Sequence, residues 1–141
     1  MAAELTERPD PDDVKQVIVI RRDLKMRRGK EIAQGAHASS AWIVSMLADA
    51  VDRTSGAVTV TIDPVGLVWM TSSWRKVTLQ VTTEDELVGL HEAALERGLR
   101  SHLIHDSGRT EFGGVPTITA LAIGPDRSAI IDEVTGNLPI Y

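Results

Sequence analysis

The sequence predicts an α/β fold, a three-layer α/β/α sandwich around a mixed, mostly parallel four-stranded sheet. Short runs rich in valine and isoleucine, which are typical of strands, alternate with longer segments of helical periodicity. This alternation favours right-handed crossovers and a largely parallel sheet that helices cover on both faces. The link between the last two strands is short, which favours an antiparallel last strand and makes the sheet mixed.

Length and composition limit the class of protein. The chain has 141 residues, the size of one domain with one core, with 43% hydrophobic and 25% charged residues. Cysteine is absent, which excludes a disulfide framework and a thiolate zinc site. Because no apolar run has the length of a membrane span and no signal-peptide core follows Met1, we expect a cytoplasmic protein with no membrane association.

The first fourteen residues differ in composition from the rest. They are acidic and contain Pro9 and Pro11, which predicts a disordered tail over residues 1–14. Residues 15–141 are predicted to form a single domain.

The first strand and the first helix organise the remainder of the chain. Residues 17–20 form a β-branched run, which predicts a buried strand. A helix is predicted from about Lys30 to roughly Val51, and its apolar and small residues recur at three- and four-residue spacing. The predicted core-facing stripe consists of Ile32, Ala33, Ala36, Ser40, Ile43, Val44 and Leu47.

A basic loop joins this strand to this helix. Its cations are Arg21, Arg22, Lys25, Arg27, Arg28 and Lys30, against one acid, Asp23. The net charge of the whole chain is −5, so the positive charge is local. Cations beside a helix N-terminus favour an anion, which makes the loop a predicted phosphate site. A merely solvated loop is the alternative.

The segment over residues 57–75 is predicted to be an added hairpin-like insert. Val58, Val60 and Ile62 alternate with threonines, and turn residues follow at positions 63–66. Trp69 and Trp74 are more typical of packing anchors than of base-stacking platforms. The remaining predicted elements are a strand over 77–81, a helix from the Thr83–Glu86 capping box to about 97, strands over 101–106 and 116–123, and a short helix over 129–134.

A second group of polar residues follows the predicted strand 101–106. The run from Asp106 through Arg109 to Thr110 lies at the carboxyl end of that strand, where open α/β sheets bind ligands. If the first strand is close, Lys30 approaches Asp106. A carboxylate beside a cation stays ionised and can orient or deprotonate a water, while Lys30 can stabilise an oxyanion or hold a phosphate. A structural salt bridge with an Asx turn explains the same residues.

The histidines do not indicate a metal or nucleophile site. His37 lies among small residues on the first helix, where a buried, hydrogen-bonded histidine is more common than a catalyst. His102 and His105 point to opposite faces of a strand and cannot share one metal ion. Neither a helical HExxH nor a GxSxG motif is present, which disfavours metal-dependent hydrolysis and an α/β-hydrolase triad.

Five segments together resemble one known family. They are DLKMRRGKEIAQGAHA (residues 23–38), DSGRTE (106–111), TIT (117–119), AIGP (122–125) and VTGNLPIY (134–141). In this order they resemble the type 2 peptidyl-tRNA hydrolases, which are found mainly in archaea and eukaryotes. The matching order covers residues 15–51 and 76–141.

The resemblance implies a fold and a reaction. The fold is one mixed four-stranded sheet between helices. The reaction is hydrolysis of the ester that joins a peptide to the 3′-terminal ribose of tRNA, with no metal and no other cofactor. The partner is then peptidyl-tRNA, and the family implies a homodimer. A non-catalytic tRNA- or protein-binding module of the same fold is the alternative, and an esterase for another phosphate-bearing acyl ester is a third.

The resemblance also assigns roles to single residues. By motif position, the catalytic residues are Lys30, Asp106, Thr110 and Thr119. By the same matching, Gln34, His37 and Thr117 lie beside the site. The arginines of the 21–28 loop are predicted to hold tRNA phosphates. The predicted substrate-binding residues are therefore Gln34, His37 and Thr117 with Arg21, Arg22, Lys25, Arg27, Arg28 and Arg109. Three segments depart from the family pattern: Arg27-Arg28, where a Gly-Lys pair is usual, the loop EFGGVPT over residues 111–117, and the insert at 57–75.

Overall fold

The computed structural model describes residues 8–141, and residues 1–7 of the predicted tail lie outside the described residues. A short 3-10 turn, Pro11–Asp13, precedes the first strand, and the Asp10 side chain accepts a hydrogen bond from the Asp12 N–H. Val14 then begins the first strand of the sheet.

Four strands and four longer helices follow. The strands are β1 (Val14–Arg21), β2 (Lys76–Val81), β3 (Ser101–Asp106) and β4 (Thr117–Arg127). The helices are α1 (Arg28–Ala50), α2 (Pro64–Met70), α3 (Glu84–Glu96) and α4 (Ser128–Thr135). No helix within residues 8–141 has the length and apolar character that crossing a membrane requires.

The sheet is mixed, but the prediction that it is mostly parallel is wrong. The strand order is β2-β1-β4-β3, with β1 and β2 parallel and both pairings of β4 antiparallel. Strands β1, β2 and β3 therefore run in the same direction, as helical crossovers require. Because β4 inserts between β1 and β3, only one neighbouring pair is parallel. The four-strand count and the antiparallel last strand are confirmed.

Helices cover both faces of the sheet, which confirms the three-layer prediction. Strand β1 is buried along its whole length. Its residues Val17 and Val19 face a core with Leu87 of α3 and Ile131 of α4. Alternate residues on the other face of β1 belong to a second cluster, which includes Ala38 of α1.

The predicted core-facing stripe of α1 is wrong. The residues that α1 buries are Gln34, Ala38 and Trp42, while Ile32 is 67% exposed and Val44 is 54% exposed. Apolar and small residues occupy more than one side of α1, and periodicity alone does not show which side packs on the sheet. Most of the predicted stripe is exposed, whereas Ile43 and Leu47 near its end are half-buried.

The predicted hairpin is also wrong. Residues 57–63 form no strand, and α2 follows them. Asp63 caps α2 by accepting a hydrogen bond from the Gly66 N–H, with Pro64 in the first turn. An Asp-Pro pair starts helices as well as turns. The packing agrees with a helix, since Trp69 is buried edge-to-face against Trp42 with ring centroids 6.2 Å apart.

Candidate functional site

Three polar side chains meet at the sheet edge where β1 and β3 end. Lys30, in the first turn of α1, donates hydrogen bonds from Nζ to Asp106 Oδ1 at 2.8 Å and to Thr110 Oγ1 at 2.7 Å. The side chains of Lys30 and Asp106 are 14% and 13% exposed. They meet although β1 and β3 are not neighbours, because α1 contacts β1, β4 and β3. These two side chains are therefore largely sheltered, and solvent reaches a small part of each.

Two buried side chains, Gln34 and Thr119, connect to Asp106 through hydrogen bonds. Gln34, one turn after Lys30, donates from Nε2 to Asp106 Oδ1 at 3.2 Å, and its Oε1 accepts a hydrogen bond from the Thr119 hydroxyl. Gln34 is 2% exposed and Thr119 is fully buried. Thr119 is therefore placed to fix the amide of Gln34 rather than to contact a substrate.

A β-bulge turns Thr119 toward α1. In the β3–β4 pairing, Ile104 pairs with Ala120 and His105 pairs with Ile118, which leaves Thr119 as an extra residue on β4. Regular alternation would place Thr119 on the face opposite to Ala120. Because bulges re-aim side chains, the Thr119 hydroxyl reaches Gln34 on the α1 side of the sheet.

The electrostatic environment keeps Asp106 ionised. The hydrogen bond from Lys30 lowers the pKa of Asp106, partial burial opposes this shift, and the N–H of Gly108, which donates to Oδ2 at 2.8 Å, lowers the pKa further. A carboxylate with a lowered pKa is a weak base, since general bases work best with a pKa near the working pH. Asp106 is thus better suited to orient a water than to remove its proton unaided.

The loop after β3 holds Thr110 over Lys30. Gly108 has φ +80°, and a Cβ at this position would overlap the carbonyl oxygen of Val115, so only glycine is tolerated. Glu111 accepts a hydrogen bond from Arg27 Nε at 2.8 Å, which ties the loop to the start of α1. The roles of the Gly108 N–H and of Glu111 were missed by sequence reasoning, and the available signal was the glycine content of this loop, at positions 108, 113 and 114.

The predicted phosphate-binding cations fall into two groups. Arg21 is buried, and its guanidinium donates to Asp23 and to the Ile118 carbonyl oxygen, while Arg27 is paired with Glu111. The hydrogen bond with Asp23 raises the pKa of Arg21. Arg22, Lys25, Arg28 and Arg109 are exposed, and so is the Arg27 side chain despite its ion pair.

Two further predicted residues lie at the margin of the cluster. Thr117 pairs in register with Asp106, and its hydroxyl donates to the Val115 carbonyl oxygen at 2.8 Å. His37 is exposed, one turn beyond Gln34 on α1, whereas its sequence context favoured a buried histidine. Within residues 8–141, no three His, Asp or Glu side chains are grouped closely enough to hold a metal ion.

Comparison with known proteins relates this site to one family. The family model described as peptidyl-tRNA hydrolase PTH2 matches residues 14–141, which include all of the residues described above. A peptidyl-tRNA hydrolase from Methanopyrus kandleri is 44% identical over 126 residues, which cover 89% of this chain and 97% of that protein.

Two proteins of lower identity also have the name peptidyl-tRNA hydrolase. The peptidyl-tRNA hydrolase of Methanocaldococcus jannaschii is 36% identical over 127 residues, covering 90% of this chain and 99% of that protein. A probable peptidyl-tRNA hydrolase 2 from Schizosaccharomyces pombe is 38% identical over 127 residues. That match covers 90% of this chain but 56% of the yeast protein, which is longer.

Proposed function

The chain belongs to the peptidyl-tRNA hydrolase PTH2 family, and we propose that it hydrolyses the ester between a peptide, or an N-blocked aminoacyl group, and tRNA. The observation that carries this proposal is the cluster of Lys30, Asp106 and Thr110 at the carboxyl edge of the sheet. An ionised carboxylate, a cation and a hydroxyl within hydrogen-bond distance suit the attack of water on a carbonyl group.

In the proposed reaction, Asp106 accepts a hydrogen bond from the attacking water and fixes its direction. Water adds to the ester carbonyl carbon, and negative charge develops on the carbonyl oxygen, where the Lys30 ammonium stabilises it. The bond from this carbon to the ribose oxygen then breaks. One proton of the added water passes to the departing ribose oxygen and the other is released to solvent, so the products are a free peptide carboxylate and tRNA with an intact 3′ terminus.

The remaining polar residues position these groups. We propose that Thr110 holds the Lys30 ammonium by accepting its hydrogen bond at 2.7 Å. Thr119 acts through Gln34, which in turn holds Asp106. Gln34 and Thr119 are therefore positioning residues, because their burial keeps them from the substrate.

The exposed cations are proposed to bind the tRNA backbone. Arg28 lies in the first turn of α1, Arg22 and Lys25 lie in the loop that precedes it, and Arg109 lies in the loop after β3. They therefore flank the cluster that contains Lys30 and Asp106. Phosphate contacts of this kind set affinity without reading base sequence.

Three further features belong to the proposal. The reaction uses no metal ion and no other cofactor, and it takes place in the cytoplasm, where peptidyl-tRNA is formed. Residues 15–141 act as one catalytic domain. We also propose a homodimer, as the family resemblance implies, and light scattering of the purified chain tests its mass.

Deacylation of an N-blocked aminoacyl-tRNA in the presence of EDTA tests the proposed function. We expect release of free tRNA at the same rate with and without the chelator. Absence of turnover together with tight tRNA binding would favour the non-catalytic module. Loss of turnover in EDTA alone would contradict the metal-free reaction.

A further inference from the structure

A groove runs along the flank of α1 opposite to Lys30. It consists of two adjoining cavities of about 550 Å³ and about 320 Å³, which share Arg28, Glu31 and Tyr141 in their walls. α1 forms one side of the larger cavity, and β2 with Tyr141 forms the other. This groove contains none of the residues of the Lys30–Asp106–Thr110 cluster.

The larger cavity is an apolar slot. Ile18 and Ile20 of β1 form its floor, and Gly35 and Ala36 of α1 contribute no long side chain. Ile32, on the α1 wall, is 67% exposed. Small residues on one wall and branched residues on the floor leave a largely apolar space beside Lys76 and Thr78 of β2, with a volume in the usual range for small ligands.

The smaller cavity is basic and ends in an aromatic ring. Arg22, Lys25 and Arg28 line it. The Arg22 guanidinium lies 4.1 Å from the centroid of the Tyr141 ring. Glu31 is the acidic residue among those that line this cavity, and it accepts a hydrogen bond from the Tyr141 hydroxyl. The three cations exceed this single carboxylate, so the cavity attracts an anion.

The groove lies close to the proposed reaction centre. Arg28, Lys30 and Glu31 all belong to the first turn of α1, with Lys30 directed to Asp106 and the other two to the groove. A helix with its side chains is about 10–12 Å wide, so the two sites are separated by roughly that distance. A ligand in the groove can therefore be joined to one at the cluster by a short flexible chain.

We propose that this groove binds an unpaired nucleotide of the tRNA 3′ end, with its base in the apolar slot and its phosphate against Arg22, Lys25 and Arg28. This inference rests on the proposed function and names a part of the substrate that the catalytic cluster does not hold. A nucleotide combines a flat, largely apolar base with an anionic phosphate, which matches an apolar slot that continues into a basic cavity. Aromatic and cationic side chains beside such a base are typical of single-strand binding.

The peptide portion of the substrate matches the groove less well. An extended peptide commonly binds by adding a strand to an exposed sheet edge. Residues 139–141 already occupy the outer edge of β2: Gln80 N–H donates to the Pro139 carbonyl at 3.1 Å, and Tyr141 N–H donates to the Thr78 carbonyl at 3.0 Å. A peptide backbone also carries no charge to meet the three cations.

Binding of two labelled RNA hairpins tests the proposal. One hairpin ends in a single-stranded CCA, and the other has the same stem with a blunt end. We expect the intact protein to bind the CCA hairpin at least about fivefold more tightly, the lower end of what one stacked base contributes. Ala36→Leu should fill the slot and remove this difference, because Ala36 is exposed and lines it. Ala48→Leu, the same change at an exposed position near the other end of α1, should keep it.

Deacylation by the same variants separates this proposal from the proposed function. Ala36→Leu should raise KM for N-blocked aminoacyl-tRNA more than it lowers kcat. If neither the wild-type protein nor any variant deacylates N-blocked aminoacyl-tRNA, the proposed function is wrong. If wild type turns over and Ala36→Leu equals Ala48→Leu in KM and in hairpin preference, the groove proposal alone is overturned.

Two further measurements can also overturn the groove proposal. Chemical shifts of the Ile32 methyl groups should respond to cytidine monophosphate and not to an N-acetylated dipeptide; the reverse result assigns the groove to the peptide. Light scattering should give the same mass for Ala36→Leu as for the wild-type protein. A changed mass assigns the groove to contact between two copies of the chain.

Discussion

The two flanks of α1 differ in how far their side chains are engaged. On one flank, Lys30 and Gln34 are bonded to Asp106, and Gln34 is also bonded to Thr119. On the other, Ile32 and Ala36 are exposed and line an open groove. This difference is the basis of our proposals that the first flank is preorganised for the reaction and that the second takes up a ligand. Substitutions on the first flank should therefore change rates, and those on the second should change affinity.

Asp106→Asn should have the largest effect on rate. It preserves shape but removes the charge that Lys30 and the Gly108 N–H stabilise, so the single-turnover rate should fall by about a hundredfold or more. The matched control is Asp132→Asn, which breaks the 2.6 Å ion pair with Lys15 away from the site. Near-normal turnover of Asp106→Asn would show that the Asp106 carboxylate takes no part in the reaction.

Thr119→Val should have an intermediate effect on kcat and should also lower the free energy of unfolding. It leaves the buried Oε1 of Gln34 without a donor, which should cost about 1–3 kcal/mol in the free energy of unfolding. Because Gln34 then loses its fixed orientation, kcat should fall about tenfold, as expected for one misplaced support. Thr119→Ser keeps the hydroxyl and should restore most of both quantities. If valine and serine gave the same kcat, the hydroxyl would have no role in positioning.

Arg28→Ala should act on affinity. Loss of one phosphate contact should reduce the slope of log affinity against log salt by about one, with kcat nearly unchanged. Arg53→Ala removes an equal charge at an exposed position in the turn after α1 and serves as the control. Filter binding across a salt series measures the slope. A large loss of kcat at saturating substrate would place Arg28 in the chemical step instead.

Ala36→Leu should have the smallest effect on stability. The sequence-predicted stripe placed Ala36 against the sheet, where overpacking would cost about 1–3 kcal/mol. Since Ala36 is exposed, the change in the free energy of unfolding should stay within about 0.5 kcal/mol. Denaturant unfolding measures it, and a loss of 1 kcal/mol or more would show that this flank packs against the core.

The sequence predicted the contacts on the Lys30 flank of α1 better than those on the groove flank. Lys30 and Asp106 follow strand ends, and strands that run in one direction bring their carboxyl ends to one edge of the sheet. The loop glycines and the capping threonine Thr83, which accepts from the Glu86 N–H, are likewise local signals. The cap and the loop glycines depend on residues near one another in the chain. The approach of Lys30 to Asp106, 76 positions apart, depends instead on the common direction of β1 and β3.

The missed features depend on contacts between distant parts of the chain. Asp63 and Pro64 start a helix here. In this helix Trp69 packs against Trp42, a contact that local sequence patterns do not show. Thr119 faces Gln34 because of a bulge that only the β3–β4 register defines. The groove exists because α1 buries its Gln34 and Ala38 side, a choice that helical periodicity left open.

The pH dependence of the single-turnover rate in wild type and in Lys30→Met tests the central claim most directly. The claim is that Lys30 lowers the pKa of Asp106 and thereby keeps the working carboxylate ionised. The wild-type rate should stay level from pH 7 down to about pH 5, above the ordinary pKa of an aspartate, and fall only at lower pH. Without the cation the pKa of Asp106 rises, so the fall in rate should begin at higher pH in Lys30→Met. An unchanged or lower onset would contradict the account.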